Sequence, residues 1–462
     1  MKSVCKNIIE TSTVTLDVGA ENPSYPLYRV CDRDIGKLFK ANAAGAVRIK
    51  ADQGASVQVG FDRLILPAGH NLDGVPFAVQ SSPDDSTYTT VMLGLFSAGL
   101  NVFTNQEFDQ FDNSYINPAH FGVVSQGDGS VTEAGTLMTC DGGATVGDYA
   151  WFYLKKYGAY LRTAKGFSAA KWKARAGGTT GYGHYVHSVY QAASPSGSFN
   201  TSLARVGIQF YYPAAGSTYI RFTCRQGSTT YYWNPGTMAW QTTVIKVMDW
   251  AADTYAITIT ETNGTGFRIA LLNSSYATQH VTSWTPWSLI DTDGNSEWIA
   301  GGETSGSATA VIDYDWMTTG GEASDAARYL RVRICAELFA NPVELPELFL
   351  SPTYTWERLP ARPAGPFDDV FTVEHEQTAS GLDRFLLHGN PRRQRVYRMQ
   401  NAGSAQKTNI LDLNSAWQGA KPFWLCDHED NWIYGRLRNP LNLREEGYSK
   451  YSFDFDFEEV IG

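Results

Sequence analysis

Paired carboxylates, closely spaced imidazoles and clusters of aromatic rings are the features of this sequence that could do chemistry. Asp313 and Asp315 stand two apart in Ala308-Thr-Ala-Val-Ile-Asp-Tyr-Asp-Trp316, which on a strand puts both carboxyls on one face. Glycoside hydrolysis needs two carboxylates held roughly 5–10 Å apart. Two Asp on a solvated strand are the plainer account. His184 and His187 are three apart. A strand would turn them to opposite faces, and no Glu or Cys sits at a metal-site spacing, so a structural role is expected. Asp291-Thr-Asp-Gly-Asn295 alternates hard oxygens with a turn glycine but lacks the bidentate Glu that closes an EF-hand loop. It reads as a turn, with a calcium site as the alternative. No Gly-x-Ser-x-Gly elbow, phosphate-binding loop or His-Glu-x-x-His occurs. Cys5, Cys31, Cys140, Cys224, Cys335 and Cys426 are scattered with no Cys-x-x-Cys, which argues against a zinc ribbon, a redox motif and a disulfide scaffold. No catalytic residue, metal or cofactor is expected.

The rings are better candidates. Pyranose C–H faces stack on aromatic side chains while hydroxyls bond to nearby polar groups. Tyr231-Tyr-Trp-Asn234 with Trp240, Trp284-Thr-Pro-Trp287 with Trp298, and Gly181-Tyr-Gly-His-Tyr-Val-His187 form three clusters. Gly, Pro and Asn flank Tyr232, Trp233 and Trp284 as they do in loops. Tyr232, Trp233, Trp240, Trp284 and Trp287 are therefore the expected sugar contacts, and core packing is the rival reading for each ring.

These rings must be positioned by β-structure. Short β-branched and aromatic runs, separated by Gly, Asn and Asp turns, predict an all-β chain. Expected strands include 14–18, 46–50, 57–61, 63–66, 148–153, 202–212, 219–224, 255–260, 267–272 and 308–316. The chain has 462 residues, 43 % of them hydrophobic and 18 % charged, which suits two to four domains with ample core. A formal net charge of −10 disfavours non-specific nucleic-acid binding, which depends on neutralising phosphates. The local exception, Pro391-Arg-Arg-Gln-Arg395, reads as a charged strand facing solvent or a neighbouring subunit. No apolar run is long enough for a membrane span, and Met1–Glu10 lacks a signal-peptide core. Reduced thiols and folding in the cytoplasm of the producing cell are expected.

Three resemblances organise these elements. Tyr25-Pro-Leu-Tyr-Arg-Val-Cys-Asp-Arg33, Arg63-Leu-Ile-Leu66 with its Gly-His-Asn-Leu turn, and Val79-Gln-Ser-Ser-Pro-Asp-Asp-Ser-Thr-Tyr88 resemble the discoidin-like jelly roll, a glycan-binding sandwich. Tyr88 stands where that family often has Trp, and Asp84-Asp85 replaces the usual Asp-Gly. The closing strand expected for such a roll comes only at Ala327-Arg-Tyr-Leu-Arg-Val-Arg-Ile334, followed by Val343–Leu350. Its alternation reads as a half-buried edge strand, and about two hundred residues are then inserted into a loop of the roll. The insert's Val-x-Asp-Tyr-x-Trp strand is similar to that of concanavalin-like sandwiches, although the Glu-x-Asp-x-Glu of their laminarinase branch is missing.

The last hundred residues follow a Pro-rich stretch, 359–366. They hold the basic strand Arg392–Arg398, a helix-like apolar stretch at Ile410, Leu411, Leu413 and Trp417, and Gly419-Ala-Lys-Pro-Phe-Trp424. The acidic turn Cys426–Trp432 and the strand Tyr451-Ser-Phe-Asp-Phe-Asp-Phe-Glu-Glu-Val460 complete them. This order resembles the C-terminal β-domain of distal and minor tail proteins of long-tailed bacteriophages. The fold expected is thus a discoidin-like jelly roll (1–105 plus 327–355) interrupted by a lectin-like sandwich (106–326). A tail-ring-like β-domain with one short helix (356–462) would follow.

The resemblance implies a virion structural protein at the tail tip or baseplate. It would assemble as a trimer or hexamer through Arg392, Arg393, Arg395, Phe423, Trp424 and Trp432, contact tail tube, hub and fibres, and display its outer sandwiches to host surface polysaccharide. A tail-associated glycan hydrolase and a ring or fibre adaptor without glycan binding are the alternatives, as is a cellular carbohydrate-binding protein.

Overall fold

The structure is a computed structural model. It describes every residue except 1, 56–57, 107, 113–115, 117–120, 155–165, 176–181, 193–204, 215–216, 227, 263–264, 287–294, 304–310, 319–325, 357–367, 378–382, 405, 409–410, 412, 415–420, 428–430, 439–441, 448–449 and 461–462. The fold is all-β: antiparallel sheets carry the described chain, with only a one-turn helix at Ile8–Thr11, a 3₁₀ turn at Leu27–Cys31 and helical residues between 404 and 414.

Near the start of the chain, five strands pair in the order Thr13–Val18, Val47–Asp52, Tyr329–Ile334, Pro76–Ser82, Thr89–Leu95. Facing them are Phe39–Ala44 paired with Pro342–Leu345, and Arg63–Leu66 held between Phe349–Ser351 and Asn101–Thr104. Ile49, Val79, Leu330 and Val332 from the first layer meet Phe39, Leu64, Leu66, Val343 and Leu345 from the second in one buried cluster. Tyr329–Ile334 was expected at an edge, yet it is the central strand. Leu330 faces Ala51 on one side and Ser81 on the other. Its alternation holds, with Leu330, Val332 and Ile334 buried and Tyr329, Arg331 and Arg333 half-buried. The polar set survives at the centre because the outward arginines are paired: Arg331 with Asp17 at 2.7 Å and Arg333 with Glu337 at 2.6 Å. Of the strand expected at 57–61, Val57 lies outside the described residues, residues 58–60 carry no regular structure and Phe61 sits in a single β-bridge.

Between Asn105 and Ala327 lie two larger sheets. One runs Phe121–Gln126, Tyr149–Leu154, Asn295–Glu303, Tyr182–Ala192, Arg205–Ala214, Ser217–Gln226, Thr229–Asn234, Ala239–Gln241. The other runs Ser130–Ala134, Leu137–Asp141, Val311–Thr318, Gly166–Ala174, Ala256–Thr262, Gly266–Asn273, Thr278–Val281. Trp172, Tyr314, Phe267 and Ile269 from the second pack against Phe152, Ile208, Phe210, Phe222 and Trp233 from the first. The chain enters and leaves this unit side by side, Asp109 opposite Met317 and Phe108 opposite Thr318.

The unit is docked on the five-stranded sheet through apolar surface. Ala78, Leu93 and Leu95, pointing away from the first core, join Ala169, Ile257, Ile259, Ala270, Leu272 and Trp316. Pro76–Ser82 is therefore covered on both faces, which explains its nearly continuous burial.

The C-terminal sheet runs Tyr354–Thr355, Lys2–Val4, Phe423–Cys426, Trp432–Leu437, Lys450–Glu459, Asp383–Ala402, Asp368–Gln377, with Asn442–Gly447 added beside Lys450–Glu459. Lys2–Val4, reckoned with the first module from sequence, belongs here: Ser3 lies opposite Tyr354 on one side and Leu425 on the other. Tyr451, Phe453 and Phe457 are buried and Asp454 is exposed, the division that the alternating pattern predicts. Leu413 enters this core while Leu411 stays exposed; Ile410 and Trp417 lie outside the described residues.

Candidate functional site

A cleft of about 630 Å³ opens at the seam between the first sandwich and the inserted one. The turn Asp73–Pro76 and the segment Cys335–Phe339 supply one wall; Met238, Arg268 and Thr278–Trp284 supply the other. The walls are fixed to each other by polar contacts that cross the seam. The Thr278 hydroxyl donates to the Cys335 carbonyl at 2.6 Å, and its backbone N–H to Glu337 at 3.1 Å. Tyr276 and Thr90 share a hydroxyl bond of 2.6 Å.

Arg268 is the hub of the cleft. It projects from Gly266–Asn273 with only 2 % exposure. Nε donates to Glu261 at 2.7 Å and Nη1 to Asp73 at 3.2 Å, while Nη2 reaches the Phe96 carbonyl at 2.7 Å and Ser97 at 3.2 Å. A buried guanidinium so satisfied is a rigid strut, since removing any partner would strand a charge away from water. The Trp284 ring lies 4.6 Å from the same guanidinium and is held by it. Gly74 takes φ +77°, the left-handed turn conformation that glycine adopts without strain, and a Cβ there would make only ordinary contact, 3.7 Å from Arg268 Nη1.

His280 also lines the cleft. Its Nε2 accepts the Trp233 indole N–H at 2.7 Å, so the remaining ring proton belongs on Nδ1. Burial pushes the imidazole down to about 4, and the ring stays neutral near pH 7.

Of the four expected sugar contacts among the described residues, the cleft takes one. Trp284 lines it, half-buried. Trp233 is corrected: at 1 % exposure it belongs to the core, facing Trp240 across the pair Thr229–Asn234 and Ala239–Gln241. Its place follows from alternation, since Tyr231 and Trp233 share the inward face and Tyr232 points outward. Trp240 packs on the same core edge, its indole N–H donating to Thr285 at 2.8 Å. Tyr232 lies outside the cleft, 5.2 Å beneath the Arg221 guanidinium. Trp287 lies outside the described residues, as does Asp291–Gly294. In Tyr182–Ala192, His184 lies opposite Phe210 and His187 opposite Ile208 of the neighbouring strand.

Asp313 and Asp315 do not sit on a solvated strand. Asp313 is 1 % exposed and is gripped by Arg175 through two bonds of 2.7 Å and by Thr139 at 2.8 Å. Asp315 is paired with Lys171 at 2.6 Å. Both carboxylates serve to join Val311–Thr318 to its neighbours.

The expected assembly residues divide likewise. Phe423 fills the C-terminal core, whereas Trp424, one residue on, packs against Phe349 of the first sandwich with rings 6.3 Å apart. Both are buried and offer no outer surface, which corrects that expectation for them. Trp432 is half-buried, with Arg63 5.9 Å from its ring. Arg395 is half-buried opposite Phe457; Arg392 and Arg393 pair with Val370 and Asp369 at the other flank of the long strand.

No known protein family matches the sequence, and no curated protein does. Among solved structures the chain is similar to peanut lectin, with 8 % identity and TM-score 0.33 over 50 % of this chain and 99 % of that one. It is also similar to lectin II from Ulex europaeus, with 13 % identity and TM-score 0.32 over 46 % and 97 %. A truncated AlyQ with CBM32 and alginate lyase domains gives 11 % and 0.26 over 77 % and 99 %. At such scores the likeness reaches no further than a coarse arrangement of β-sheets.

Proposed function

We propose that this chain is a non-catalytic glycan-binding structural protein of a bacteriophage tail tip or baseplate, and that the seam cleft is its sugar site. The observation that carries the binding half is the cleft itself. A tryptophan ring pinned by a buried arginine forms one side, and polar groups at Asp73, Ser283 and His280 surround it. Sugars are held by this combination of a ring face and directional hydrogen bonds. Binding without cleavage is supported by Asp313 and Asp315, whose oxygens are already engaged by Arg175, Thr139 and Lys171.

The tail half rests on the C-terminal resemblance in sequence, with docking through the exposed surface of the Asp383–Ala402 and Lys450–Glu459 sheet. Ring assembly would multiply weak sugar contacts by raising their effective concentration.

The test is binding of the full chain to host envelope polysaccharide. Trp284→Ala should weaken it by about five- to thirtyfold, since a stacked ring contributes on the order of 1–2 kcal/mol. Unchanged binding by that variant removes the cleft as the site. New reducing ends released from the polysaccharide would overturn the non-catalytic reading, and antibodies that fail to decorate phage particles would overturn the tail location.

A further inference from the structure

We infer that the cleft selects neutral sugars bearing a methyl-terminated substituent, an acetamido group above all, over plain hexoses and over uronic acids. This rests on the glycan reading of the cleft and narrows it.

The first ground is the rim. Met238 lines the cleft from the inserted sandwich and Leu338 from the first, and they are 50 % and 61 % exposed. Large apolar side chains left in water on both walls of one cleft are unfavourable in the free protein and gain by covering an apolar group. Met238 is doubly unfavourable, because its backbone is held at φ +52°, a region that L-residues other than Gly, Asn and Asp seldom adopt. The turn before it is fixed by Asn234, whose side-chain oxygen accepts the N–H groups of Gly236 at 2.9 Å and Thr237 at 3.3 Å. An asparagine would suit position 238 better for folding alone, so the methionine there points to contact with a ligand.

The second ground is charge. Among the described residues, the ionisable groups lining the cleft are Asp73, Arg268, His280 and Cys335. Arg268 is the sole cation among them, and it is flanked by both Asp73 and Glu261. His280 and the buried Cys335 are neutral near pH 7. Among the described residues the cleft lining thus offers one carboxylate and one guanidinium that is already engaged, with no free cation to receive a uronate. Acetamido sugars suit this setting: the methyl can lie against Met238 and Leu338, and the amide can bond to the hydroxyl of Ser283 or the Asp73 carboxylate.

Calorimetric titration of the full chain with three trisaccharides tests the inference: an N-acetylglucosamine trimer, a glucose trimer of the same linkage, and trigalacturonate. The acetamido trimer should bind about tenfold more tightly than the glucose trimer, the scale expected for added apolar contact in a pocket. Trigalacturonate should give no heat. Combining Met238→Asn with Leu338→Ser should erase the preference for the acetamido trimer, with a melting temperature no lower than the parent's. Equal affinities for the two neutral trimers, tightest binding of trigalacturonate, or a preference that survives the double substitution overturns the inference. Should no trimer bind while polysaccharide binding stays sensitive to Trp284→Ala, the selectivity fails and the glycan site stands. If polysaccharide binding is also absent, the glycan site itself fails.

Discussion

Glu347 has no exposed surface, and its carboxyl accepts only the Arg33 backbone N–H at 2.8 Å and a long 3.4 Å contact from Asn7. Burial pushes it up to about 9 from 4.5, although Arg33 pulls the other way, so the group is protonated at neutral pH. The folded form then holds a proton that the unfolded chain releases. Stability from this group is complete below pH 4.5 and fades as pH rises toward 9. Glu347→Gln keeps the shape without the titration. It should raise stability at pH 8 by roughly 4 kcal/mol and leave it unchanged at pH 4, as read from urea melts at the two pH values. Equal effects at both would show that the side chain acts by packing alone. Around it, Arg33 binds Glu10, the Cys5 carbonyl and the Pro422 carbonyl, and Tyr434 donates back to the Arg33 carbonyl at 2.9 Å. One arginine thus ties the first sandwich to the C-terminal sheet.

At the level of elements, a tight constraint lies in the insert sheet that contains Asn295–Glu303. Gly301 lies opposite Trp151 with φ +146°, and a Cβ there would stand 2.2 Å from the Ala150 carbonyl oxygen. Gly301→Ala should destabilise the protein by ~3 kcal/mol or prevent folding, measurable as a loss of soluble yield and of thermal stability. Period-two patterning made much at this scale legible in the sequence. Tyr329–Ile334 and Lys450–Glu459 were readable as half-buried strands because polar and apolar side chains alternate cleanly. Whether Tyr329–Ile334 was an edge or a centre was not readable, since its outward arginines find partners only after Asp17 and Glu337 are brought beside it. The rings at 231–234 were misjudged because Pro235 and Gly236 suggest a loop, whereas the pleat turns Trp233 inward. The cleft was the least legible feature. Arg268 and Asp73 come from strands and turns 195 residues apart, and neither carries a local motif.

At the scale of the whole molecule, the apolar seam under the inserted sandwich decides how independent that unit is. Its two connecting strands, Phe108–Asp109 and Val311–Thr318, run side by side, so replacing residues 110–316 with a short Gly-Ser turn leaves a closable gap. The remaining five-stranded sheet should still form, but Ala78, Leu93 and Leu95 would face water. The excised protein is expected to keep its β-rich circular dichroism and to self-associate in size-exclusion chromatography. A well-behaved species eluting at its monomer volume would show that the seam contributes little. The strand Lys2–Val4 carries a different consequence. Its neighbours Tyr354–Thr355 and Phe423–Cys426 emerge from the ribosome about three hundred and fifty and four hundred residues later, so the amino-terminal segment waits for partners made long after it. Chains cut short before residue 354 hold neither neighbour of that strand, and those cut short before 423 hold only one, so the sheet fastens its own beginning in two late steps.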